Sequence, residues 1–176
     1  MAKRPSKGVL FFAWSLIIVS LIQLFYMPAV LSEFGFLSRP MRIVSVGYMI
    51  VFNCAAVYTA LSALCLKQWS RSVLIILAVI GICDKAVFIP FRLQAVDRVI
   101  ADPGLSSVMI SEYRVLLEKT KPAVRVSDDV LLSRIREDLR QAQKAIEALW
   151  VLYLFVLAVF FLQLKVRDQF IAEEGV

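Results

Sequence analysis

Four long apolar stretches decide what this chain can become: Gly8 to Leu31, Ile43 to Leu66, Ser72 to Phe91 and Ile146 to Leu164. The hydrocarbon core of a bilayer is about 30 Å thick and takes roughly 20 helical residues to cross. Each stretch comes close to that length or exceeds it. The fold class expected is therefore all-α, a four-helix transmembrane bundle. The connection between the third and fourth spans, residues 92–145, is expected to form a helical extramembrane cap, so that residues 1–176 make a single membrane domain.

Composition narrows the function classes. Hydrophobic residues make up 60% of the 176-residue chain. The spans leave no room for a soluble catalytic domain of ordinary size, about 100 residues or more. The net charge of +6 does not point to nucleic acid, because the bases sit mostly beside the spans, where they orient a protein against anionic lipid. Histidine is absent, which removes His-ligated haem or metal and His-based acid–base chemistry. Asp84 reads as the single intramembrane acid, so paired membrane-depth acids are missing, as are a Ser-centred elbow and a Gly-rich phosphate loop. Cys54, Cys65 and Cys83 fall inside spans without a CxxC spacing and read as free thiols packed as small hydrophobes. No catalytic, cofactor-binding or metal-ligating set is expected, and the chain reads as a non-enzyme.

Local signals organise the rest. Met1 to Lys7 form a basic leader, and the run behind it is too long for a secretory signal, so it reads as an uncleaved first span with Pro28 near its end. Ser32 to Arg42 read as a polar turn containing Gly35 and Pro40. Lys67 to Arg71 form a tight connection in which Trp69 lies between bases, as interfacial anchors do. In the long connection, Asp102-Pro103-Gly104 and Lys121-Pro122 are breaks, with an amphipathic helix from Leu105 to Glu118 between them. Ser127 followed by Asp128 and Asp129 marks a helix start. With no Gly or Pro before Gly175, one helix is expected to run from there into the fourth span. Lys165 to Val176 read as a short polar tail.

The candidate intramembrane polar contact is Asn53, Asp84 and Lys85. A charge at a helix centre costs about 2.5–3.5 kcal/mol on insertion scales, so it needs a partner. Lys85 is near enough to the span exit to snorkel, and Asp84 is too short to do so. Asn53, at similar depth in the second span, is the expected partner of Asp84. Such a contact serves as glue between spans or as part of a proton or ion pathway. Alternatively the third span ends early and both charges lie near water. The second span also carries small residues at helical spacing, Ala55, Thr59 and Ala63 beside Ala56 and Ala60, which suits close packing inside one bundle or in a dimer.

The candidate partner-facing stripe is Leu132, Ile135, Leu139, Ala142 and Ile146, continued by Leu149 and Tyr153. It is too short outside the membrane for an independent coiled coil and needs company. Its partner is either the Leu105–Glu118 helix, through Leu105, Val108, Met109 and Leu116, or another protein.

Four spans with a short first loop and a large last one resemble tetraspanins and claudins in outline, but the loop cysteines of both are absent here, which excludes membership. The layout is also similar to that of small four-span bacterial membrane proteins, which implies a bacterial inner (plasma) membrane. Lys3, Arg4 and Lys7 ahead of the first span put both termini in the cytoplasm. The function expected is that of a non-enzymatic accessory or scaffold subunit. Its partners are membrane lipids and another membrane protein or itself. The alternatives are a small oligomeric transporter or channel using Asp84 and Lys85, and a sensor whose cap binds a small ligand or lipid.

Overall fold

The computed structural model describes residues 4–26, 39–120 and 126–171, and every regular element among them is a helix. In chain order these are α1 (Lys7–Phe25), α2 (Arg39–Leu64), α3 (Gln68–Ala101), α4 (Pro103–Thr120), α5 (Asp128–Leu162) and α6 (Leu164–Ile171). Four of them contain stretches long and apolar enough to cross a membrane: Lys7–Phe25, Ile43–Leu64, Gln68–Ala101 and Asp128–Leu162. Pro28 and residues 32–38 of the expected first turn lie outside the described residues, as does Lys121-Pro122.

The helix ends follow from local chemistry. Ser6 caps α1, its hydroxyl accepting from the Val9 amide at 3.4 Å. α2 begins at Arg39, earlier than its apolar run, and Pro40 sits in its first turn, where a missing N–H is no loss. At the other end of α2, the Lys67 amide donates to Ser62 O (3.1 Å) and the Leu66 amide to Ala63 O (3.0 Å). This nested pair ends helices with a left-handed residue, usually Gly. Here that residue is Leu66, at φ 54°, and its side chain is buried, which offsets the steric cost. Asp102 stops α3 and starts α4: its Oδ1 accepts from the amides of Gly104 (2.9 Å) and Leu105 (3.1 Å). The expected break at Asp102-Pro103-Gly104 is thus a cap with proline at the first helical position.

α3 and α5 are long, each about 50 Å at 1.5 Å per residue. α5 starts where Ser127 predicts, the Ser127 carbonyl accepting from the Leu131 amide at 3.1 Å, and runs unbroken to Leu162. α3 carries Pro90 inside it and continues to Ala101. Proline removes the bond to Ala86 O but leaves the turns on either side intact.

The chain divides into two units, Met1–Ile82 with Leu152–Val176, and Cys83–Val151. The first holds one continuous core from α1, α2, α3, α5 and α6. α1 and α2 pack closely, and small residues make that possible. Ala56, Thr59, Ala60 and Ala63 are all buried, so the small-residue stripe of α2 is used inside this unit. Asn53 lies on the same side, buried, and its amide donates to Met49 O of its own helix at 2.9 Å. Ser15 and Tyr153 share a hydrogen bond of 2.8 Å between α1 and α5. Ala60→Leu is therefore expected to lower stability by about 1–3 kcal/mol through overpacking. A denaturation midpoint in detergent measures it, with Leu61→Ala, half exposed on the same helix, as the control that leaves the midpoint nearly unchanged.

The tail reading needs correction. Residues Leu164–Ile171 form α6, and its Val166 and Phe170, one turn apart, are buried in the core. The cysteines also differ from expectation. All three are free, but they lie exposed rather than packed inside. In the second unit Ile100, Leu131 and Ile135 are buried.

Candidate functional site

Lys85 and Arg92 are seven residues apart on α3, two helical turns, and so share one side. Both reach the same acid, Glu147 of α5, which is 2% exposed. Lys85 Nζ lies 3.6 Å from Glu147 Oε2, and the Arg92 guanidinium bonds Oε1 directly. Gln143, one turn earlier on α5, donates to the same Oε1 at 2.9 Å. The Lys85 ammonium also sits over the Trp150 ring, 5.5 Å from its centre. A carboxylate stripped of water survives only when paired and hydrogen-bonded, and Glu147 has both kinds of partner. Asp84 is half-buried beside this group and feels the charges of Arg92, Lys85 and Glu147. Two acids and two bases thus balance at this level of the chain.

Further along the same helices a second set repeats the arrangement. Asp97 of α3 bonds Arg140 of α5 at 2.6 Å and pairs with Arg136 at 3.8 Å. Steps forward along α3 are matched by steps back along α5: Lys85 meets Trp150 and Glu147, Arg92 meets Glu147, and Asp97 meets Arg140 and Arg136. These are antiparallel helices in a fixed register, pinned by charge. α4 joins through polar contacts, Tyr113 donating to Asp138 at 3.1 Å and Arg114 pairing with Asp128. The Asp138 carboxylate, which accepts the phenol's bond, holds the Tyr113 phenol above its usual range. Asp97 likewise pushes Arg140 further up.

The structure brings together some of the residues singled out from sequence and adds others. Lys85 is at the centre of the cluster, and Asp84 borders it. Asn53 belongs to the other unit. Of the stripe on α5, Ile135 is buried, Leu132 and Leu139 are half-buried, and Ala142 and Ile146 are exposed. The buried residues of α5 in this unit are Leu131, Ile135 and Glu147, of which Ile135 alone belongs to the expected stripe. Of the expected apolar face of α4, Leu105 and Val108 are exposed, Met109 is half-buried and the Leu116 side chain lies outside the described residues, while Tyr113 and Arg114 make polar contacts with α5.

Glu147, Arg92, Gln143 and Trp150 were not among the sequence candidates. Counting Asp84 as the single intramembrane acid overlooked Glu147, the second residue of the fourth apolar stretch. A signal was present in the two-turn spacing of Lys85 and Arg92, with an acid opening the next apolar run. No family model, curated protein or solved structure matches this chain.

Proposed function

We propose that the chain is a multi-pass membrane protein that works by contact, as a non-enzymatic accessory or scaffold subunit, with both termini on the cytoplasmic side of a bacterial inner membrane. The observation that carries the membrane reading is the outer surface of the first unit. Phe11, Trp14, Ile18, Leu21 and Phe25 of α1 are exposed, as are Ile43, Val44 and Val51 of α2, while polar Ser20, Asn53, Thr59 and Ser62 are inside. Water does not favour that distribution, and hydrocarbon does. The charge register on α3 and α5 adds support. Phe91 and Ile146, the ends of two apolar runs set independently from sequence, fall next to Arg92 and Glu147, which pair with each other. One bilayer boundary therefore serves both helices. Lys85 lies deeper, and its ammonium extends toward that boundary to reach Glu147.

Contact rather than conduction is favoured because Lys85 and Arg92 are both held on Glu147, and with Asp84 beside them the two bases and two acids balance. An accessory role is supported by the exposed Leu105, Val108 and Val115 of α4 and the exposed Ala142 and Ile146 of α5. Purification in mild detergent, followed by mass measurement of the intact particle, tests this. The expected result is an assembly larger than one chain with fixed stoichiometry. A monomer without partner contradicts it. Ion flux in liposomes that disappears in Asp84→Asn, with expression unchanged, would favour the transporter reading instead.

A further inference from the structure

We infer that one end of the first unit is a docking rim for anionic phospholipid headgroups. The inference rests on the membrane reading above. Three pieces of chain distant in sequence converge there: the start of α1, the α2–α3 turn, and α6. The Ser6 amide donates to Gln169 Oε1 of α6 at 3.2 Å, and Arg71 Nε donates to Phe161 O at 2.7 Å. That second bond satisfies a carbonyl of the last turn of α5, which otherwise has no helical donor.

The charge at this end is one-sided. Its described residues include the bases Arg4, Lys7, Lys67, Arg71, Lys165 and Arg167, against the single acid Asp168, which pairs with Arg167 at 3.6 Å. In the full sequence Lys3 adds a base and Glu173 and Glu174 add acids, so the excess remains positive. α6 has two faces. Val166 and Phe170 are buried, while Lys165 and Arg167 are exposed and Leu164 is exposed beside them. A short helix of that kind lies along an interface. Tyr58 and Trp69 stack there with ring centres 5.6 Å apart, both largely exposed, and such rings seat at headgroup level. A positive ring of this composition complements a layer of phosphate-bearing lipids with net negative charge, each base adding to the attraction.

The test uses the full chain in mild detergent, mixed with equal amounts of phosphatidylglycerol and phosphatidylcholine of the same acyl length. Native mass spectrometry then counts the lipids retained. The expected result is preferential retention of phosphatidylglycerol that weakens with salt. Lys67→Gln with Lys165→Gln is expected to reduce that preference roughly tenfold or more while helicity is unchanged. Arg71 is left intact because it holds α5. Equal retention of the two lipids by the unaltered protein overturns the proposal, and so does a preference indifferent to salt. An acidic protein segment as the true occupant would leave lipid retention unselective, which also overturns it. A chain released from membranes without detergent would instead overturn the membrane reading on which the inference stands.

Discussion

Glu147→Ala should cost the protein about 3 kcal/mol of stability, because it strands charges rather than merely losing a bond. Removing the acid leaves Lys85, 13% exposed, and Arg92, 33% exposed, with no common counter-ion. Arg92 is open enough to recover water, so the loss falls at the lower end of the range for broken buried pairs. Among the described residues Lys85 then keeps Asp84 as a neighbouring acid and the Trp150 ring as a weaker partner. The diagnostic variant is the double one. Lys85→Met with Glu147→Leu removes both inner charges and should restore most of the lost stability, since apolar replacement of a buried pair is often neutral or better. Reversible unfolding in mixed micelles measures both. A single variant as stable as the parent, or a double variant worse than the single, contradicts the account.

The second large effect is expected at Phe161. Its side chain is fully buried in the first unit, with ring centres 5.2 Å from Phe160, 6.2 Å from Phe170 and 6.4 Å from Phe12. In water, Phe→Ala in a core costs about 3–5 kcal/mol, part of it transfer and part cavity. Between helices in lipid the transfer part shrinks, because hydrocarbon is available outside as well. What remains is lost dispersion and an unfilled cavity, so about 2–4 kcal/mol is expected. Phe161→Leu should recover roughly half of it. The same unfolding measurement decides, and a change below about 1 kcal/mol would mean that the aromatic cluster is not the centre of this core.

How much of this was legible in the sequence follows from which forces leave a local trace. Apolar runs do, so the four long helices and the unbroken helix from Asp128 through the fourth stretch could be read directly. Capping chemistry does as well, at Ser127 and at the Asp102 corner. Helix rotation leaves a weaker trace. The 3-4 rhythm of Leu132, Ile135, Leu139, Ala142 and Ile146 suggests one inward face, yet Glu147 is buried and Ile146 exposed. At Ile146, where the fourth apolar run begins, apolar residues belong outside as comfortably as inside, so their periodicity loses its direction there. Buried polar groups carry that information instead. Asn53 and Lys85 were found by this reasoning, and Glu147 was missed because it stands at the edge of its run. α6 was missed for a related reason: its inward residues, Val166 and Phe170, are only a single i, i+4 pair within a charged stretch.

The most direct measurement is alkaline carbonate extraction of membranes from cells making the full chain. If α1, α2, α3 and α5 cross the bilayer, the protein remains entirely in the pellet and is released only by detergent. Its appearance in the supernatant without any surfactant would contradict the account at its foundation.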